Sequence, residues 1–422
     1  MGTYSIFMLL RKTSVKSSGK NACLKGSERV NSDPVRMNSK KRLIIAGAGI
    51  GGLTLAIALQ RKGIDVTIVE QATAIRPLGA GLVLAANAVK AFTEIGIEQE
   101  VLKAGKALKK LVIKDRRGRV LTSTDSEQIS RRYGSVDNFT IHRADLHDVL
   151  LKQLQPGSIL LDKQCVDFKQ NPEGVSLTFQ DGTIINADYV IACDGIHSIF
   201  RRKLLPESEV RYAGYTCWRA VIDKPLPGIN MSETSETWGQ GSRFGIVPLV
   251  NGKLYWFACL NAEANSKVMR NYTVENLLSH FGDFHEPVPT LIKNTRGEQL
   301  IWGDIIDLKP LAKFAFDNIV LMGDAAHATT PNMGQGACMA IEDAVVLANL
   351  LDTHSSIQEA FGKFERMRLA RTEKIVKGSW QLGRIAQLEN PILAQLRNAA
   401  IRATPSSVAE KQMKFLYEVS FH

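Results

Sequence analysis

The chain has 422 residues, of which 45% are hydrophobic and 23% charged, with a formal net charge of +11. That length can bury a substantial core in one large or two closely connected domains, and the composition is ordinary for a soluble globular protein. Seven basic residues against two acidic ones place +5 of the charge in residues 1–36. The remainder shows no basic run with interleaved aromatics, so nucleic-acid binding is not expected. No apolar stretch of about 18 residues occurs, which excludes a membrane-spanning helix. The 6 cysteines form no CxxC pair and no metal-ligand spacing, so free thiols in a reducing, cytoplasmic setting are expected, with no metal.

Residues 1–40 read as a basic leader. It fits either a transit peptide or a translation start placed before Met37, next to which the first strand begins. Leu43–Ala46 is a short apolar run, a glycine loop follows, Leu53 to Arg61 continues as an apolar helix, and Ile64 to Glu70 is a second strand. Strand, glycine turn, helix and strand make a βαβ unit on a parallel sheet. Residues 76–96 read as a glycine-containing loop and a helix, 107–125 as alternating strands, and Ala144–Leu154 as a helix. Val175–Ala187 is a hairpin about Asp181-Gly182, and Tyr189–Cys193 a buried strand. From Tyr212 to about Leu260 aromatic and β-branched residues predict an inserted antiparallel sheet. Ile319–Met322 is again a buried strand, followed by a helix from about Gln335 to Leu351 and a largely helical remainder.

Three motifs carry chemistry. In Gly47-Ala-Gly49-Ile-Gly51-Gly52, Gly47 permits a tight turn, Gly49 lets backbone approach a pyrophosphate, and Gly52 allows close helix–strand packing. Alone the loop could be structural, but Glu70 stands at the end of the next strand, where a carboxylate binds ribose hydroxyls. Asp194-Gly195 ends a second buried strand, and Gly323-Asp324 a third. The latter runs on through Pro331 to Gly334-Gln335-Gly336, a turn that aims a helix N-terminus at whatever lies above it.

In this order the motifs resemble those of the single-component, aromatic-ring-hydroxylase type of FAD-dependent monooxygenase. The resemblance covers residues 41–390 and is closest to the urate hydroxylase and zeaxanthin epoxidase branches, through the run Gly323 to Asp343 and through Tyr212 to Trp218. It implies a glutathione-reductase-like FAD domain of residues 41–210 and 300–390, a mainly antiparallel substrate domain of 211–299, and a helical C-terminal segment of 391–422. By the same resemblance Gly47, Gly49, Gly51 and Gly52 would hold the pyrophosphate, and Glu70 with Gln71 the adenosine ribose. Arg143 would anchor FAD, Val166 would meet the adenine side, and Asp194-Gly195 would face the groove shared with nicotinamide. Asp324 would hold the ribityl chain, and Pro331, Gly334, Gln335, Gly336, Ala337, Cys338 and the loop around Val83 would border the isoalloxazine. That loop, Gly79 to Asn87, has Ala86 where relatives often have Pro.

The resemblance implies oxygen insertion into a small aromatic or heteroaromatic substrate through a flavin C4a-hydroperoxide, in a monomer or homodimer. With one dinucleotide fingerprint only, NADH or NADPH would be a transient reductant. Arg243 and Tyr255 match substrate-facing positions of the urate hydroxylase branch, which favours a urate-like heterocycle; a solvated arginine and an ordinary strand tyrosine is the plainer reading. Trp218, Arg219 and Trp256 are weaker candidates, and His327 and His197 read as packed residues. An epoxidase, an antibiotic-modifying hydroxylase, a reductase and a prenyl-protein escort share the fold; the escort predicts eroded flavin motifs, which are intact here.

Overall fold

The structure is a computed structural model that describes residues 41–75, 79–405, 408 and 414–422. The leader, with its two readings, and part of the expected C-terminal segment lie outside the described residues. A six-stranded sheet has the order Ala315–Phe316, Ile319–Leu321, Tyr189–Ala192, Leu43–Ala46, Val66–Val69 and Ile159–Leu160. All its pairings are parallel except that of the edge strand Ala315–Phe316. Leu43–Ala46 is buried at every position, as a central strand covered on both faces must be. The helix Ile50–Arg61 and the helix Gly336–Thr353 pack together on this sheet. Both are apolar around most of their circumference because neither has a solvent face to keep polar.

A seven-stranded sheet has the order Ile301–Leu308, Val210–Ile222, Leu254–Asn261, Ser242–Pro248, Glu233–Trp238, Lys110–Asp115 and Val120–Asp125. It draws on residues outside the expected 211–299. Lys110–Asp115 joins Glu233–Trp238 as the one parallel pair, and Ile301–Leu308 closes the other edge. Alternation within 107–125 shows which side chains share a face, not which sheet the strand enters. One face packs Trp218, Phe244 and Trp256 against Leu277, Phe281, Val288 and Leu291. Both tryptophans are therefore core. The opposite face carries Tyr215, Cys217, Tyr255, Phe257 and Cys259.

Residues 76–96 depart from expectation: Gly81–Leu84 is a strand, antiparallel to Phe139–His142, and only Ala86–Glu94 is helical. Four residues with a glycine in front carry too weak a pattern to announce a strand whose partner lies far along the chain. The hairpin Gly174–Phe179 and Ile184–Ala187 forms as expected, with Cys165–Asn171 as an added third strand. The 30-residue helix Ile357–Ala386 runs from the helix Gly336–Thr353 toward the seven-stranded sheet, reaching it through Gln387. No helix among the described residues is long and apolar enough to cross a membrane.

Candidate active site

The glycine loop leaves the strand Leu43–Ala46 with Gly47 at φ 106°, a left-handed conformation that side chains resist. A Cβ there would meet the Cys193 carbonyl oxygen at 2.5 Å, and one on Gly52 would meet the Gly47 carbonyl oxygen at 2.1 Å. Both glycines are required by the protein itself. Gly49 differs: it starts the helix Ile50–Arg61, and a Cβ on it would touch nothing within 4 Å. Gly51 faces Ala340 of the helix Gly336–Thr353 and Met322 at the end of the strand Ile319–Leu321, a packing contact. The Glu70 carboxylate accepts from the Ala48 amide at 2.8 Å and the Ala72 amide at 2.9 Å, so it orders the loop whatever else it binds. Gln71 is exposed beside it.

Asp194 accepts from the Ile199 amide at 2.9 Å through Oδ2, while its buried Oδ1 has no partner. Burial raises its pKa, against the pull of Ser198 and Ile199. Gly195, at φ 80°, faces open space. Val166 is half exposed, and its neighbour Cys165 lies close enough to Asp194 for the two to interact electrostatically. Asp324 is reached by water yet surrounded by protein, as on the wall of a deep cleft. That surrounding raises its pKa, with His327 and Arg143 opposing. Arg143 is exposed, its stem lies over Gly79, and its amide donates to the Ala80 carbonyl at 3.0 Å.

Gly334, at φ 64°, has the Val83 carbonyl oxygen as its nearest neighbour, 4.0 Å from a built Cβ, so the turn and the strand Gly81–Leu84 border the same gap. Pro331 and Gly334 are exposed, Gly336 and Ala337 half-buried. Buried Gln335 precedes the helix Gly336–Thr353 without capping it. The helices Asp125, His142, Thr273, Ser356 and Asn390 precede are capped by those side chains. The two helices that open on the glycine loop and on Gly334–Gly336 have no side-chain cap, as is true also of those after Ala85, Ile97, Pro287 and Gly323, and their first amides are free to meet a ligand at the cleft. Cys338 is structural here, donating to the Gly334 carbonyl at 3.4 Å and receiving the Ala85 amide at 3.5 Å.

Arg243 and Tyr255 both lie on the cofactor side of the seven-stranded sheet, in different states. Arg243 is buried, donating to Gln387 Oε1 at 2.9 Å, Glu236 Oε1 at 3.1 Å and Asn332 Oδ1 at 2.8 Å, with its guanidinium over the Tyr215 ring. Burial disfavours its charge, but Glu236 together with Cys259, Tyr215 and Cys217 outweighs that and keeps it a cation. It is neither solvated nor free: the protein uses its donors to hold Asn332, next to Pro331. Tyr255 packs with Val247 and Leu249 against Ala80 and Val83. Its phenol is hydrogen-bonded to half-buried Arg219, and burial raises its pKa.

The FAD binding domain family model matches residues 40–379. The chain belongs to the single-component FAD-dependent monooxygenases. This monooxygenase is 38% identical to the aurachin C monooxygenase/isomerase of Stigmatella aurantiaca, over 88% of this chain and 96% of that protein. It is 34% identical to the 2-heptyl-3-hydroxy-4(1H)-quinolone synthase of Pseudomonas aeruginosa, over 86% of this chain and 94% of that one. The crystal structure of Klebsiella pneumoniae HpxO complexed with FAD and uric acid superposes with a TM-score of 0.83 at 26% identity, covering 91% of this chain and 99% of that one.

The monooxygenase's cleft fits FAD on its own geometry. Gly49 and Gly195 face open space, Asp194 Oδ1 lacks a partner, Asp324 is open to the cleft, and two helix N-termini stand uncapped. Behind it lies a buried network absent from the sequence reading. Asn87 donates to Gln335 Oε1 at 2.9 Å and to Glu342 Oε1 at 2.5 Å; Arg368 and Arg371 pair with Glu342, and Arg368 also with Asp343. His327 meets Asp343 Oδ2 at 2.6 Å and is buried, a packed residue as expected. Burial works to raise the Asp343 pKa, yet His327 and Arg368 hold it at about 2. The signal was available: two consecutive acids in an otherwise apolar helix need buried cations. His197 is exposed.

Proposed function

We propose that this monooxygenase uses NADH or NADPH and O2 to hydroxylate a bicyclic heteroaromatic substrate of the quinolone kind, with one hydrogen-bonding edge and apolar substituents. The observation that carries the substrate class is the cofactor-side face of the seven-stranded sheet. Val221, Val247, Leu249 and Phe257 make it largely apolar around the Arg219–Tyr255 pair. Urate is polar around its whole perimeter and would need donors that Arg243 has already committed to Glu236, Gln387 and Asn332. The names of the 38% and 34% identical relatives support the same class.

Bound FAD supplies hydride acceptance and oxygen activation. The residues do the rest. Gly47, Gly49 and Gly52 and the start of their helix would hold the diphosphate, with Glu70 keeping the loop in shape. Asp324 would accept from the ribityl hydroxyls, and Asp194 from the group that satisfies its Oδ1. The amides of Gly336 and Ala337 would stabilise negative charge at the ring's edge. Arg219 would orient a substrate carbonyl or enolate, and Tyr255 would hold a proton at its oxygen. The packed sheet face would exclude water from the reacting ring.

The test is a panel of 4-quinolones, urate and hydroxybenzoates, following NAD(P)H oxidation and product mass under labelled oxygen. A quinolone product one labelled oxygen heavier is expected. Oxygen incorporation into urate alone would replace the substrate class, and NAD(P)H oxidation without incorporation into any substrate would reduce the chain to a reductase.

A further inference from the structure

We propose that Cys217 and Cys259 form an oxidation site on the wall of the substrate chamber, a cross-strand thiol pair that hydrogen peroxide converts to a reversible disulfide. The two are direct partners between the antiparallel strands Val210–Ile222 and Leu254–Asn261. Such partners have Cα atoms about 5.5 Å apart in a hydrogen-bonded pair and about 4.5 Å in the other kind, and both fall in the disulfide window of about 4.4–6.8 Å. Side-chain direction agrees, since both thiols belong to one buried cluster with Tyr215 and Ile305 and lie near enough for each to shift the other's pKa, with Cys217 Sγ also meeting the Trp218 carbonyl at 3.4 Å. Closing the bond needs no register shift.

The surroundings divide the labour between them. Burial disfavours the Cys217 thiolate, but the Cys259 thiol and the guanidinium groups of Arg219 and Arg243 outweigh it and lower the Cys217 pKa. Cys259 is pushed the other way, chiefly by Cys217 itself. One sulfur is the nucleophile and the other carries the proton. The Cys217 thiolate attacks one peroxide oxygen, the O–O bond breaks, and hydroxide leaves, giving a sulfenic acid. Cys259 sulfur then attacks the Cys217 sulfur, the S–O bond breaks, and water leaves with the Cys259 proton. The hydroxide takes up the proton that Cys217 released on ionising, so two thiols lose two electrons and one peroxide becomes two waters.

Position supplies the selectivity. Each cysteine is 2% exposed, so reagents in bulk solvent reach neither easily. From inside, Tyr215 and Arg243 both bond Asn332, in the segment that borders the cofactor cleft. Peroxide released when a reduced flavin meets oxygen without substrate therefore forms close to the pair; this source alone rests on the function proposed above. Cys193 and Cys338 are the contrast. Cys193 is half-buried and Cys338 buried, both have raised pKa values, and among the described residues no thiol acts on either.

The test treats the FAD-loaded full chain with hydrogen peroxide, alkylates free thiols under denaturing conditions and maps the peptides by mass spectrometry. The expected result is a Cys217–Cys259 link, two hydrogens lighter than the dithiol and restored by dithiothreitol. In Cys259→Ser, dimedone should trap a sulfenic acid at Cys217. A second arm generates peroxide by NAD(P)H oxidation without substrate and should give the same link. Added peroxide that leaves both thiols alkylatable, or links either to another cysteine, overturns the proposal, and it does so in the unsubstituted protein even if the serine variant misfolds. No NAD(P)H oxidation together with a link from added peroxide would overturn the proposed function and leave the thiol site standing.

Discussion

The six-stranded parallel sheet and the seven-stranded sheet treat their polar groups in opposite ways. Along the first, hydrogen-bonding capacity is left open toward one cleft: Asp194 Oδ1 has no partner, Asp324 meets water, and two helices begin without caps. Along the second, the buried arginines are satisfied by protein, with Arg243 bonded to three residues and Arg211 to both oxygens of Asp307, and the open atoms, Asp304 Oδ1 and the indole nitrogens of Trp218 and Trp302, lie on the strands Val210–Ile222 and Ile301–Leu308. A buried polar group without a partner costs about 1–3 kcal/mol, so a fold retains several together only where something else completes them. Open capacity therefore marks the ligand, and satisfied capacity marks the frame. By that criterion Arg243 belongs to the frame.

The strongest way to break this contrast is Arg243→Met. Removing the cation strands Glu236, Gln387 and Asn332, and the expected loss is about 3 kcal/mol of stability with FAD still bound. Thermal unfolding of the holoenzyme measures it; an unchanged midpoint with abolished turnover would return Arg243 to the chemistry. In the other region, Asp324→Asn and Gly49→Ala should barely move the apoprotein's stability. Each should weaken FAD binding about 10-fold or more, or about 1.4 kcal/mol, because what is lost is a ligand contact. Flavin titration against apoprotein melting separates the two quantities. Gly47→Ala is the control, since its Cβ collides with Cys193 and should destabilise even without cofactor. Arg219→Met comes next: KM for the true substrate should rise about 10-fold with little change in melting. A drop in melting with KM intact would place Arg219 in the frame too.

How much of this was legible in the sequence follows the same division. The glycine loop, Asp194-Gly195 and Gly323-Asp324 could be read because their chemistry is local: a strand end, a turn and a helix start within a few residues. Trp218 and Trp256, weaker site candidates from the sequence, prove to be core, as an aromatic on a strand more often is. The strand Gly81–Leu84 and the membership of 110–125 in the larger sheet could not be read, since both depend on partners far along the chain. Arg243 was found as a residue but not as a state. Its three bonds reach residues 236, 332 and 387, and no motif announces such a meeting. The Cys217–Cys259 pair is of the same kind, scattered in sequence and joined by register.

The smallest expected effect tests an exception on the cofactor side. Asp137 is buried, and its Oδ1 accepts from the Ala86 amide at 3.2 Å, at the corner where the strand Gly81–Leu84 enters its helix. It is a carboxylate of the frame in the region of open groups. Burial raises its pKa to about 6, against the pull of the Ala86 and Asn138 amides. A folded-state pKa above the unfolded one means that folding takes up a proton. The stabilisation is complete below about pH 4 and is lost as pH rises to about 6. Asp137→Asn keeps the acceptor for Ala86 and removes the titration. Relative to this variant, the parent protein should lose stability between about pH 4 and 6 and stay at a constant offset above it, by denaturant unfolding at each pH. A constant offset across the whole range would mean that Asp137 folds charged. The Ala86 amide would then suffice to hold a buried carboxylate, and the contrast between open and satisfied groups would have to be redrawn at this corner.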